Sequence, residues 1–291
     1  MLSSLLPLLL ACAPETEDSV LSFPGQPGLY ELSFDHDGEP RSSVVYVPES
    51  ASPGSPLLLN FHGYGGTGRA HLLEADLREL AEREGVVLAY PQGSDLEGSS
   101  HWNAALPGPD NKSSADDQGF VRALVDNIQA EHGVDSERVY ATGYSNGGML
   151  SYALACHGQG LVAAVVAVSG AFINQEEGCS PDLPVPVMVV HGTADSVLPY
   201  QGSAETLSVA ETLAFWVDHN ETSPTPEESS TQDGDTRIET LSYGQGRGGS
   251  AVVHHRVIGG GHTWFEVSIE GEEFHQVLWD FVSPHSLESL R

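Results

Sequence analysis

The sequence has 291 residues, a length that one α/β domain of about 250 residues plus a short leader can fill. Acidic residues outnumber basic ones 41 to 11, the formal net charge is −30, and Lys112 is the only lysine; such a surface repels nucleic acid and anionic membranes and excludes nucleic acid as a partner. With 40% hydrophobic residues and 32 glycines, the composition is that of a globular protein with a sizeable core and many tight turns.

The chain opens with a short apolar run, Leu5 to Leu10, ending in Leu9-Leu10-Ala11-Cys12. It is too short to span a bilayer, and a small residue before the cysteine marks a processing site. The pattern resembles a lipobox, so residues 1–12 are expected to be a signal segment that leaves Cys12 as the point of lipid attachment. Plain secretion is the alternative, because no basic residue precedes the run. Setting Cys12 aside leaves Cys156 and Cys179, and an even remainder in an exported chain favours a disulfide over two separate buried thiols. Residues 13–27 turn to Pro, Glu, Ser and Gly and read as a flexible tether. One folded domain is expected over 28–285, with a tail at 286–291.

Within that domain, Leu29 to Phe34 and Ser43 to Val47 read as antiparallel strands joined at Asp37-Gly38. Leu57 to Phe61 is a continuous apolar run, as expected of a strand buried on both faces. A glycine-rich turn follows it. Ala70 to Glu84 has helical spacing and Gly85 closes it before the strand Val86 to Tyr90. The alternation continues with a helix over Asp116 to His132, a strand over Val139 to Gly143, a helix over Gly147 to Cys156 and a strand over Val162 to Val168. Then come a strand over Val187 to His191 and a helix over Ala204 to His219. The polar stretch Asn220 to Asp235 reads as an inserted surface loop. Strands near Arg237 to Tyr243 and Ala251 to Ile258 precede a final helix over Gly271 to Val282. This order predicts an α/β fold, a mostly parallel, doubly wound sheet with helices on both faces.

Gly143-Tyr144-Ser145-Asn146-Gly147 is a G-x-S-x-G string, weak by itself in a chain with this much glycine and serine. Its setting gives it weight: it lies where a strand stops and a helix starts, as a nucleophile elbow requires, with glycines where neighbouring backbone must approach. A serine hydroxyl needs a base within reach and an acid to orient that base. In His191-Gly192-Thr193-Ala194-Asp195, Asp195 sits past an apolar strand, at the carboxyl edge of the sheet, where open α/β folds place their sites. Asp182 precedes that strand and Asp218 lies in a helix, so neither competes. His262, after Gly259-Gly260-Gly261, is the base, since His254 and His255 fall within a strand and His275 within a helix. Backbone N–H groups of Asn146 and of the His62 to Gly66 turn, Tyr64 in particular, are the candidate oxyanion donors. Trp102 and Trp264 are candidate pocket walls, with core packing as the competing role. Asp117 reads as a helix N-terminal residue.

These residues, together with Tyr90-Pro91-Gln92-Gly93, Trp102-Asn103, Asp117-Gln118-Gly119-Phe120, Val197-Leu198-Pro199-Tyr200 and His262-Thr263-Trp264, resemble the secreted esterases that include polyhydroxybutyrate depolymerases, feruloyl esterases and acetylxylan esterases. The resemblance runs from about Leu57 to Phe281 and implies an α/β-hydrolase fold, a Ser145–Asp195–His262 triad and a Cys156–Cys179 pair. Two departures, Phe265 and Glu221 where the family often has proline and cysteine, blur the substrate loops and leave the triad alone.

The expected reaction is therefore hydrolysis of a carboxylic ester, polymer-linked, through an acyl-enzyme on Ser145. No cofactor and no metal are expected, because no ligand-spaced cluster or phosphate loop occurs. A monomer, exported and with a membrane tether at its lipid-bearing end, is the expected state. Two rivals remain at this stage. A prolyl-oligopeptidase-like peptidase would cleave amides, and a non-catalytic polymer-binding lipoprotein would ignore a fluorophosphonate probe.

Overall fold

The computed structural model of the chain describes residues 26–105, 111–173 and 178–291. The signal segment, Cys12 and all but the last two residues of the tether lie outside the described residues. Strand β1 (Gly28–His36) and strand β2 (Glu39–Val47) form an antiparallel hairpin. Its turn carries Asp37 and Gly38 at positive φ, 54° and 81°, which Asp and Gly tolerate best. Strand β3 (Leu57–Phe61) is followed by helices α1 (Gly68–Glu74) and α2 (Arg78–Glu84) and by strand β4 (Val87–Pro91).

The single helix expected over Ala70 to Glu84 is thus two. The break at 75–77 is supported from the side by Tyr90, whose hydroxyl donates to Ala75 O at 2.8 Å and accepts from Leu77 N–H at 3.4 Å. A buried phenol satisfies the backbone groups that an unbroken helix would have paired internally.

A small hairpin of β5 (Ser94–Leu96) and β6 (Ser99–His101) follows, then helix α3 (Asp117–His132), strand β7 (Val139–Tyr144), helix α4 (Asn146–His157) and strands β8 (Ala164–Val168) and β9 (Val187–Gly192). Helix α5 (Val209–His219) starts later than expected, because Ser208 and Glu211 form a capping box that fixes the first turn. The preceding residues fold instead around the Ser203 hydroxyl, which accepts from Glu205 N and Thr206 N at 3.1 and 3.2 Å.

Inside the stretch expected to be a polar loop, Glu227–Asp233 forms strand β10, paired with β11 (Thr236–Tyr243), which in turn pairs with β12 (Val252–Val257). It is the edge of the sheet, and its polar side chains guard against further pairing; three of them, Ser229, Thr231 and Asp233, also bond to Glu270 and Ser268. A short ribbon of β13 (Ser268–Ile269) and β14 (Glu272–Glu273) takes the start of the expected last helix, leaving α6 as Phe274–Val282. The expected tail is a packed turn of helix, α7 (Leu287–Leu290), with Leu287 and Leu290 buried.

The sheet has ten strands in the order β1-β2-β4-β3-β7-β8-β9-β12-β11-β10, with parallel pairing from β4 through β12 and an antiparallel hairpin at each edge. Side chains alternate between faces along each buried strand. Leu57, Leu59, Phe61, Val139, Ala141, Val165 and Val187 pack beneath α3, α4 and α5, whereas Leu58, Tyr140, Val166, Met188 and Val190 pack beneath α1, α2 and α6. Two cores, one on each face, explain why the central strands read as unbroken apolar runs. Cys156, at the end of α4, is bonded to Cys179.

Candidate active site

Each site residue sits just past the carboxyl end of a parallel strand. Ser145 follows β7 with φ 54° and ψ −117°, a region that side chains with a Cβ avoid at a cost of about 1–3 kcal/mol. The surroundings enforce it: Ser145 N donates to Val168 O at 2.9 Å, and Ser145 O accepts from Met149 N at 3.0 Å. Glycines make room for so sharp a turn. A Cβ on Gly147 would fall 2.1 Å from Phe61 O, and one on Gly143 would fall 2.5 Å from Gly147 C.

The Ser145 hydroxyl donates to His262 Nε2 at 2.8 Å, and His262 Nδ1 donates to Asp195 Oδ2 at 2.7 Å. The Asp195 side chain is fully buried and that of His262 is 12% exposed. The other carboxylate oxygen, Oδ1, accepts from Val197 N and Leu198 N at 2.8 and 2.9 Å, which anchors the anion in place. The loops bearing Asp195 and His262 are themselves joined: Ala194 N donates to Gly260 O at 2.9 Å, and Gly259 N donates to Thr193 Oγ1 at 2.8 Å. A Cβ on Gly192 would meet Gly260 O at 2.2 Å, so glycine is needed where they touch. From beneath, Tyr144 packs its ring 5.1 Å from that of His262 and donates its hydroxyl to His262 O at 3.1 Å.

The turn after β3 is held by groups to which the sequence reading gave no role. His62 is 1% exposed. Its Nδ1 donates to Gly63 O at 2.7 Å, while its Nε2 accepts from Gly93 N at 3.0 Å. Burial pushes this imidazole down to about 4, so at neutral pH it is a neutral clamp with a fixed tautomer. Ser100, in β6, accepts from Gly65 N at 2.7 Å and donates its hydroxyl to Gly66 O, while Gly66 N turns back to Gly63 O at 3.0 Å. Gly65 and Gly66 are therefore engaged within the protein. Donors for a ligand lie at the start of the turn, Gly63 and Tyr64, where the Gly63 Cβ position is 3.4 Å from Ser145 Cβ. Opposite them, Asn146 is the first residue of α4, where an N–H has no helical partner. The N–H groups of Tyr64 and Asn146 thus remain the candidates for meeting an oxyanion.

Asn146 has a second task. Its Oδ1 accepts from Trp102 N at 2.7 Å and its Nδ2 donates to Trp102 O at 3.0 Å. Trp102 Nε1 donates to His62 O at 2.9 Å, so the tryptophan ties elbow to turn. Next in the chain, Asn103 N donates to Asp117 Oδ2 at 2.7 Å, and Asp117 Oδ1 accepts from Arg41 Nη2 at 2.7 Å. Asp116 is the cap of α3 and Asp117 its first residue. Asp117 is therefore a buried ion-pair partner that fixes the wall of the site, beyond the helix-start role expected of it.

A cavity of about 400 Å³ opens beside the elbow, lined by Trp102, Asn146, Met149, Lys112, Glu205 and Thr206 among others. Trp102 forms part of its wall, although only 1% exposed. Trp264 takes a core position instead of the pocket position suggested for it. It is 4% exposed, stands edge-on to His71 and Phe274 at 5.4 and 5.6 Å, and donates Nε1 to His275 at 3.3 Å. Among the described residues, His36, Asp37 and Asp116 bring metal-type donor atoms within 4.8 Å of one another; they join the β1–β2 turn to the start of α3 and include no residue of the Ser145 site.

Comparisons with known proteins agree with the motifs. The chain is 29% identical over 256 residues to a bifunctional acetylxylan esterase/xylanase of Neocallimastix patriciarum, matching 86% of this chain and 34% of that protein. It is 27% identical over 263 residues to feruloyl esterase B of Piromyces equi, matching 85% of this chain and 46% of that protein. It thus spans a third to a half of the length of these relatives. An acetyl xylan esterase from Aspergillus awamori has the same fold, with a TM-score of 0.61 at 19% identity, over 84% of this chain and 94% of that one. The pattern of the phospholipase/carboxylesterase family matches residues 43–232, and the chain belongs to that family, within the α/β hydrolases.

Proposed function

We propose that the protein is an exported serine esterase that hydrolyses polymer-linked carboxylic esters through an acyl-enzyme. The observation that carries this reading is the two-bond chain from Ser145 through His262 to Asp195, at 2.8 and 2.7 Å. As Ser145 Oγ attacks the ester carbonyl, its proton passes to His262 Nε2, and the buried Asp195 carboxylate stabilises the imidazolium that results. The tetrahedral oxyanion is met by the N–H groups of Tyr64 and Asn146. Collapse returns the proton to the departing alcohol, and water activated by His262 then releases the acid. None of these steps needs a cofactor.

The names of the relatives, an acetylxylan esterase/xylanase and a feruloyl esterase, favour acyl esters of xylan over a hydroxybutyrate polyester as the substrate. A Cys156–Cys179 disulfide supports an oxidising, extracytoplasmic compartment. Attachment through a lipid at Cys12, and a monomeric state, complete the reading.

Rates on acetylated xylan, methyl ferulate and a hydroxybutyrate oligomer, with wild type and Ser145→Ala side by side, test it. The expected result is hydrolysis of at least one of these esters, at least about 10⁴-fold slower in the variant, and fluorophosphonate labelling of wild type alone. Full activity in Ser145→Ala would overturn the assignment.

A further inference from the structure

The cavity beside Ser145 contains the sequence's only lysine, in a molecule of net charge −30. The polar groups around it divide into two kinds. The three asparagine amides on its wall are committed to backbone: Asn146 to Trp102, Asn111 to Ala105 N and O, and Asn103 to Ser113 and Ala115. They shape the cavity and have little left for a ligand. The charged side chains differ. The Lys112 ammonium stands 5.5 Å from the ring centroid of Tyr64, which is 53% exposed and belongs to the turn that borders Ser145. Among the described residues, no carboxylate oxygen lies within ion-pair distance of that ammonium. Aromatic faces attract ammonium groups, so the ring steadies the charge of this lining residue without neutralising it.

We propose that this cavity is a subsite for a carboxylate borne by the ester substrate, with Lys112 as its cation and Tyr64 as the platform that positions it. The proposal rests on the esterase reading for its placement next to the reacting bond. At ordinary ionic strength the field of distant acidic residues is screened within about 10 Å, so the local cation decides whether an anionic group can settle near Ser145. Glu205, the one carboxylate among the described lining residues, repels a second negative charge and makes a monocarboxylate the best fit. Two sources share that chemistry: the free end of a hydroxy-acid oligoester, and a uronic acid next to an acylated sugar.

The test compares acid and neutral partners in two arms. One arm uses a 3-hydroxybutyrate trimer against its terminal carboxamide; the other uses an acetylated xylo-oligosaccharide with and without a glucuronic acid branch. The quantity read is the ratio of kcat/KM, acid over neutral, in wild type, Lys112→Met and Lys112→Arg. In the arm matching the true source the ratio is expected to fall roughly ten- to hundredfold in Lys112→Met, the range for one hydrogen bond to a charged group, and to recover in Lys112→Arg. A ratio unmoved by Lys112→Met in both arms overturns the subsite. Binding of the two acids to Ser145→Ala protein, with and without Lys112→Met, is followed by calorimetry and separates this inference from the one beneath it. Binding that depends on Lys112 supports the subsite even if no ester is cleaved, and binding that ignores Lys112 overturns it even if every ester is cleaved.

Discussion

His191 Nε2 lies 3.3 Å from Asp195 Oδ2, the same oxygen that accepts from His262 Nδ1 at 2.7 Å. The ring donates from Nε2 to Leu198 O at 2.9 Å, and burial lowers its affinity for a proton, so a neutral imidazole bonds a carbonyl and sets the positive end of its N–H dipole beside the carboxylate. His191 is thus a positioning residue that competes with His262 for Asp195. In His191→Phe the carboxylate is left to His262, the imidazolium is held more strongly, and the acid limb of the kcat/KM profile is expected to move to higher pH. The loss of orientation should lower kcat/KM roughly tenfold, the scale of one hydrogen bond to a charged group. A pH profile that superimposes on that of wild type, even with lower activity, would show that His191 only fills space.

Strain at the elbow gives a second expectation. At φ 54° and ψ −117°, glycine is at ease where serine and alanine are not. Ser145→Gly should therefore be more stable than Ser145→Ala by about 1 kcal/mol, although glycine loses more entropy on folding. Urea denaturation of the two inactive variants measures the difference directly. Equal midpoints would mean that the turn relaxes once the hydroxyl is gone.

The convergence of Ser145, Asp195 and His262 was legible in the sequence because each follows an apolar strand, and strand ends in a parallel sheet share one edge. Strand β10 was not, since an edge strand with polar side chains on both faces leaves no alternation to read. Nor was the break between α1 and α2, which depends on the hydroxyl of Tyr90, distant from it in sequence. Trp264 shows a further limit: it lies two residues from His262, yet its side chain turns to the opposite side of the loop and packs under α6. His62 and His191 were visible as letters of their motifs. Their work as clamps became apparent only with their partners, Gly93 and Leu198, in place. A histidine caught between a buried strand and a glycine turn is the signal available in the sequence, because a buried imidazole seeks polar partners there.

Buried histidines also set the acid stability. Burial pushes His255 down to about 4 and His62 to about 4, from 6.5. Between pH 6.5 and 4 the unfolded chain takes up protons that the folded chain refuses, so stability is complete above 6.5 and falls as the pH drops toward 4. Each of these two rings can account for about 3 kcal/mol or less of that fall. His255 lies in β12 with Thr240 Oγ1 at 2.9 Å, outside the Ser145 site, and is the cleaner one to remove. In His255→Gln the loss of unfolding free energy between pH 6.5 and 4.5 should be smaller by about 2 kcal/mol. Parallel losses in variant and wild type would contradict the assignment.

Close approach at the elbow makes the sharpest demand on sequence. The Gly147 Cα faces Phe61 O so tightly that an added Cβ would sit 2.1 Å from that oxygen and 2.7 Å from His62 O, far inside contact distance. Both atoms are backbone, fixed by β3 and by the turn that carries the Tyr64 N–H, so neither can step aside as a flexible side chain could. Gly147→Ala must therefore push α4 away from β3, widening the gap between Asn146 and Tyr64, the proposed donors, while Ser145, His262 and Asp195 remain chemically intact. The expected outcome is a stability loss of about 3 kcal/mol or more together with a fall in kcat of roughly 10²-fold or more, the effect of one misplaced oxyanion donor. Gly148→Ala is the natural comparison, since its Cβ would meet Gly143 O at 3.0 Å, and it should lose markedly less of both. If the two alanine variants prove equally stable and equally active, the fit between β3 and α4 is not what holds the donors in register.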